Sequence, residues 1–184
     1  MGIMQRNIVS SKRIDAARAR VREGTRRFLL PFGIIGKDKS FSQSLAGGDL
    51  VEPGILVVQD VQLLVSPDYI FGVEAGDCIS LHTLFSDARA DFFKDIELAV
   101  NLHRLPLLIV AVSADSAEDP VQAAIQMMER VEQASPTLRR RIEQGDMEME
   151  GCIVDPRSRR TEFISRTYFA SGMGKNATYN RAVD

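Results

Sequence analysis

The chain has no tryptophan, only three tyrosines, two histidines and two cysteines among its 184 residues. Each shortage excludes something. Cys78 and Cys152 cannot build the disulfide framework of a small secreted domain. So few large aromatics make a poor stacking platform for single-stranded nucleic acid. No pair of Cys or His has the spacing of zinc ligands, so neither a metal nor a cofactor is expected. Long apolar runs are also absent. The longest, Leu105 to Ala114, contains Pro106 and falls short of the ~18 residues of a membrane span. Met1 to Ser10 lacks the apolar core of a secretory signal and is followed by arginines. The expectation is a cytoplasmic protein or part of an intracellularly assembled particle.

What is present is ordinary globular stock, 45% apolar and 26% charged, enough for one domain with its own core. The net charge of −2 conceals three blocks: residues 1–30 carry a net +6, residues 31–156 a net −12, and residues 157–184 a net +4. Arginine outnumbers lysine 18 to 5, which suits bidentate contact with carboxylate or phosphate, although arginine-rich codon usage gives the same ratio. Basic ends around an acidic middle suggest an arm that meets an acidic surface.

That arm is expected to be helical over residues 11–27, with Ile14, Ala17, Val21 and Phe28 as a narrow apolar stripe. Arg18, Arg22 and Arg26 form one row at four-residue spacing; Arg13, Arg20 and Arg27 form another at seven. Like charges so spaced repel, so something acidic should face them. Residues 36–54 are rich in Gly, Ser and Asp and read as a linker. The expected organisation is therefore a basic helical arm and linker over 1–54, a core domain over 55–170, and a polar, irregular tail over 171–184.

Within the core, Ile55–Val65, Tyr69–Glu74, Cys78–Phe85, Leu107–Val112, Met149–Val154 and Thr161–Phe169 read as strands. Helices are expected over Asp87–Arg104, from Pro120 behind an Asp119 cap, and from Pro136 behind Ser135. The fold class is α+β, or an irregular α/β: a mixed sheet of about five to six strands with helices packed on it, plus an extended basic N-terminal helical arm. The stretch from Cys78 to Val112 suits a parallel crossover, and the two ends look antiparallel.

No catalytic set convinces. Gly33-Ile34-Ile35-Gly36-Lys37-Asp38 has neither the spacing nor the hydroxyl of a phosphate-binding loop. Cys78, Ser80 and His82 share one strand face, but Cys78 and His82 lie ~13 Å apart, too far for a dyad. A cross-strand Asp60–His82 contact beside Ser80 would make a small hydrolase of unfamiliar design. His103 lies on the apolar face of its helix, where packing or capping explains it. Asp87, Asp91 and Asp95 share a helical face that could attract a cation, though a solvated face or a receptor for a neighbour's arginines is simpler. Arg157, Arg159 and Arg160 crowd an exposed hairpin tip.

These features favour a non-enzymatic structural or adaptor protein, assembling with itself as a homo-oligomer or within a larger particle. Its contact residues would be Arg13, Arg18, Arg20, Arg22, Arg26, Arg27, Asp87, Asp91, Asp95, Arg157, Arg159 and Arg160. The alternative from another class is a nucleic-acid-binding accessory protein that uses the same arginines on phosphates.

Overall fold

A computed structural model describes residues 2–28, 54–73, 76–116, 118–168 and 177–183. Five α-helices and six strands are described, in the order α1 (Gly2–Phe28), β1 (Ile55–Asp60), α2 (Pro67–Phe71), β2 (Cys78–Thr83), α3 (Ala90–His103), β3 (Leu107–Ser113), α4 (Pro120–Ala134), α5 (Pro136–Glu143), β4 (Glu148–Asp155), β5 (Arg160–Tyr168) and β6 (Ala177–Val183). The strands form one mixed sheet in the order β2-β1-β3-β4-β5-β6. β2, β1, β3 and β4 are parallel, and β5 and β6 are added antiparallel. The expected mixed sheet with packed helices is thus observed, with an N-terminal helix.

β1 and β3 are buried at every position. Such strands need cover on both faces, which is why β3 and the first four residues of β1 read as apolar runs. Side chains of Leu56, Val58, Leu108, Val110 and Val112 point to one face and meet α3, α4 and α5 through Phe93, Ile96, Val100, Met127, Met128, Val131 and Leu138. Ile55, Val57, Leu107, Ile109 and Ala111 point to the other, where Ala17, Val21 and Phe28 of α1 and Ile70 and Phe71 of α2 cover them. α1 therefore lies along the sheet with its apolar stripe buried.

Two helix starts follow their local signals. Asp119 accepts the N–H of Gln122 and Ser135 accepts the N–H of Leu138, each ahead of a proline at the first turn. Caps of this kind contribute about 1 kcal/mol each. Elsewhere the expectation fails. Tyr69–Phe71, half of the strand expected over Tyr69–Glu74, belongs instead to the helix Pro67–Phe71, started by Pro67 and ended by Gly72 in the left-handed region at φ 55°. That turn of helix carries the chain across the sheet, so β2 returns parallel to β1 rather than antiparallel. The expected polar tail contains β6, paired along β5. The linker over 36–54, except Gly54, lies outside the described residues.

α1 and α2 cross with no space between them. A Cβ built on Gly24 would lie 1.5 Å from the carbonyl oxygen of Phe71, and one built on Gly72 would lie 2.8 Å from the Cα of Gly24. Gly24 costs α1 some intrinsic helix stability, yet only glycine permits this approach. Gly24→Ala should therefore destabilise the chain by about 3 kcal/mol despite alanine's better helix propensity. The check is urea denaturation; an unchanged or raised midpoint would mean that α1 does not pack on α2 as described.

Candidate functional site

The parallel strands end together, and their connections leave in opposite directions. After β1 the chain passes to the α1/α2 face; after β3 it passes to α4 on the other. In open parallel sheets such a divergence opens a crevice outside the carboxyl ends of the strands. Here it holds a cavity of about 290 Å³, lined among others by Asp60, Ser86, Val112, Ser116, Met127 and Arg130.

The polar groups on its wall hold the wall in shape. Asp60, 5% exposed, accepts the N–H of Gln62 through Oδ1 at 2.8 Å and the N–H of Phe85 through Oδ2 at 3.0 Å. From α4, Arg130 donates to the carbonyls of Phe85 at 2.5 Å and Ala88 at 2.6 Å. Its guanidinium also lies 5.3 Å from the ring centre of Phe93. Asp60 and Arg130 thus grip the two sides of Phe85. Ser116 donates its hydroxyl to the carbonyl of Ser113 at 2.8 Å, and Ser113 Oγ accepts the N–H of Asp115 at 3.3 Å.

On the opposite face, Gln59 donates Nε2 to the carbonyls of Leu63 and Val65, while its buried Oε1 has no hydrogen-bond partner among the described residues. The ends of β1 and β3 are thus dressed with one carboxylate, one amide and two hydroxyls.

The Asp60–Ser80–His82 grouping does not form. Register pairs His82 with Gln59 and Thr83 with Asp60. Residues one apart on a strand point to opposite faces. Cys78 packs with the α1/α2 cluster, so Ser80 and His82 share that side, whereas Asp60 faces α4. Cys78 is no nucleophile either. Burial, with Asp68 nearby, pushes its thiol up to about 12, so it stays protonated at neutral pH.

The arginines of α1 find acidic partners within their own chain. Arg18 reaches Glu148 at 2.8 Å and Glu150 at 2.9 Å; Arg22 reaches Glu150 at 3.4 Å and lies 3.4 Å over the ring of Phe163. Arg20 pairs with Asp77 at 2.8 Å, and Arg26 stands 3.9 Å from Glu23. Glu150 is 1% exposed, so this is a buried ion cluster between helix and sheet. Burial also raises the pKa of neighbouring Glu148, against the opposing pull of Arg18. Arg13 is exposed, and the side chain of Arg27 lies outside the described residues.

The other expected contact residues are scattered. Asp91 bonds Lys94 at 2.8 Å, which lowers its pKa, and Asp87 stands 3.9 Å from Arg89. Asp95 is exposed; Arg157 reaches Asp115 at 3.3 Å; Arg159 occupies the hairpin turn at φ 58° beside exposed Arg160. Neither Arg130 nor Ser116 stood out in the sequence. Their signal was faint: an arginine between the core positions Met127 and Val131, and a serine in the loop after a buried strand.

No protein-family model matches the chain. No curated protein is similar to it in sequence. Its fold does match solved structures. The β-carbonic anhydrase CcaA aligns with TM-score 0.54 and 13% identity over 76% of this chain and 82% of that one. Tetrameric β-carbonic anhydrases from the filamentous ascomycete Sordaria macrospora align at TM-score 0.48 and 17% identity, over 67% of this chain and 85% of theirs. The carbonic anhydrase of Streptococcus mutans aligns at 0.49 and 12%, over 66% and 90%.

The match to CcaA establishes a carbonic-anhydrase-like fold. CcaA is an enzyme, and the likeness to its fold overturns the expectation of a non-enzymatic structural or adaptor protein with its nucleic-acid and hydrolase alternatives. The physical reason is in α1, whose apolar stripe covers the sheet and whose Arg18, Arg20 and Arg22 pair internally. Those three arginines are thus engaged within the chain, while Arg13 and Arg26 stay exposed. No helix among the described residues is long and apolar enough to cross a membrane.

Carbonic anhydrase chemistry uses a zinc-bound water, and catalytic zinc takes three protein ligands at about 2.0–2.3 Å. The residues here do not fit that ion. The chain's only cysteines and histidines are Cys78, Cys152, His82 and His103. β2 and β4 are separated by β1 and β3, which puts Cys152 ~14 Å from His82, its register-mate. His103 belongs to α3, across the sheet. Among the described residues no three of His, Cys, Asp or Glu could hold a metal ion.

With its thiol protonated, Cys78 should react with iodoacetamide at pH 8 at least about a hundredfold more slowly than an unperturbed cysteine, and faster as pH rises further. Mass spectrometry of timed aliquots measures this; ordinary thiol kinetics would refute the protonated state.

Proposed function

We propose that this chain is an enzyme acting on a small oxyanion of the carbonate or carboxylate class in the crevice at the ends of β1 and β3, without a zinc-bound water. The observation that supports it is the crevice itself. It lies at the divergence point of a sheet shared with a β-carbonic anhydrase, and carries an arginine, a buried carboxylate and two serines on one wall. A volume of about 290 Å³ sits at the small end of ligand pockets, which suits a small molecule.

The roles follow from unused valence. Arg130 donates twice to wall carbonyls, and a guanidinium has further N–H groups to offer an anion. Asp60 is aimed by two backbone N–H groups, and its remaining lone pairs are available to take a proton from the bound molecule. Ser86 and Ser116 add hydroxyls for orientation. The two cysteines form no disulfide, which suits a reducing compartment such as the cytoplasm.

Two measurements test this reading. Bicarbonate at about 50 mM, binding with a Kd of about 5 mM, should raise Tm by about 4 °C over chloride at equal ionic strength. Arg130→Met should abolish that rise, and Ser116→Ala should reduce it. Equal shifts with chloride, or a rise retained in Arg130→Met, would remove the anion site. Protein made in zinc-supplemented medium should hold under about 0.1 equivalents of zinc by elemental analysis. Stoichiometric zinc together with carbon dioxide hydration would overturn the zinc-free mechanism.

A further inference from the structure

We propose that the crevice takes a monocarboxylate carrying an apolar chain of about four to six carbons, in preference to bicarbonate. This inference rests on the anion site proposed above and names which anion it selects. The first observation is room. A cavity of about 290 Å³ holds on the order of ten waters, and bicarbonate, with four heavy atoms, displaces about two of them. A ligand held by its charge alone would leave most of the crevice wet against apolar side chains.

The second observation is where those side chains stand. Arg130, Met127 and Ala123 all line the crevice, and they follow one another on α4 at spacings of three and four residues. They therefore share one face of the helix within about 60°, with Met127 about 4.5 Å and Ala123 about 10.5 Å along the axis from Arg130. The lane is charged at one end and apolar beyond it. Val112 of β3 and Leu84 and Phe85 of the connection after β2 supply the facing side chains. Leu84 keeps 38% of its surface exposed, so a ligand chain entering here would cover it. With C–C bonds of about 1.5 Å, a chain of about four to six carbons on the guanidinium covers most of the distance to Ala123.

Asp60 decides what the far end of the ligand may be. Its carboxylate is fixed in the wall by the N–H groups of Gln62 and Phe85, and a second negative charge on the ligand would be repelled by it. The site therefore favours one carboxylate and a neutral tail. Each methylene that leaves water for the lane tightens binding about fourfold.

Isothermal titration calorimetry on the full chain, with sodium bicarbonate, acetate, hexanoate and adipate at equal ionic strength, reads the outcome. Hexanoate is expected to bind at least about tenfold more tightly than acetate, and adipate more weakly than hexanoate. Arg130→Met abolishes hexanoate binding. Ala123→Leu, which fills the end of the lane, weakens hexanoate at least about threefold more than it weakens acetate. Circular dichroism confirms that both variants are folded. Equal affinities for bicarbonate, acetate and hexanoate leave the anion site standing and overturn the apolar chain. Adipate as tight as hexanoate overturns the neutral tail. Hexanoate binding retained in Arg130→Met, or weakened no more than acetate binding in Ala123→Leu, overturns the lane along α4. Binding of none of the four removes the anion site itself, and this inference with it.

Discussion

A carboxylate buried in the face of a sheet has to be answered by a cation, and in this chain that requirement decides where the first helix lies. Glu150 projects from β4 into the face that α1 covers, and Arg18 and Arg22, one turn apart, close on it. Ser165 adds its hydroxyl from β5 at 3.2 Å. The same face presents Ile55, Val57, Leu107 and Ile109, which would otherwise meet water. One helix with an apolar stripe and an arginine row answers both needs at once. Removing either arginine would leave a buried charge under-compensated, which in comparable clusters costs about 3–5 kcal/mol. The apolar cover and the ion cluster therefore stand or fall together.

With that face sealed, the other is free to carry the crevice. Its wall is held by two charged side chains that act on one residue: Asp60 takes the N–H of Phe85 and Arg130 takes its carbonyl. What a ligand meets is the hydrogen-bonding capacity left after this structural task. That distinguishes the site from one organised around a metal, where nitrogen and sulfur donors must converge on a point. Around the crevice stand the carboxylate of Asp60, the guanidinium of Arg130 and the hydroxyls of Ser86 and Ser116. The fold resembles that of a β-carbonic anhydrase, and the donor chemistry differs from what a zinc ion requires.

The legible parts of this architecture were those with local causes. β3 announced itself as an unbroken apolar run and β1 as one broken only near its end by Gln59 and Asp60, and α4 and α5 by a cap followed by proline. Pro67–Phe71 misled because Tyr69, Ile70 and Phe71 have high strand propensity; Ser66-Pro67 at its start was the better guide. β6 was missed because Ala177, Tyr179, Ala182 and Val183 are irregularly spaced among polar residues, so the alternation that betrays a half-buried strand is absent. Asp60 was noticed and given the wrong partner. His82 sits one register step away, and one step turns a side chain to the other face. Arg130 is 70 residues from Asp60 in sequence, and no periodicity links them; only the sheet does.

The charge blocks were visible from the start, and their meaning changes with the fold. A basic N-terminus on an acidic middle suggested attraction between molecules. Much of it is attraction within one: Glu148, Glu150, Asp77 and Asp146 of the acidic block all receive side chains from α1. Others stay local: near the start of α3, on the face of the sheet that α1 does not reach, Asp91 pairs with Lys94 and Asp87 stands beside Arg89. The charge blocks therefore act largely within the molecule, where neutralising the buried face of the sheet uses opposite charge that the sequence placed nearest the N-terminus.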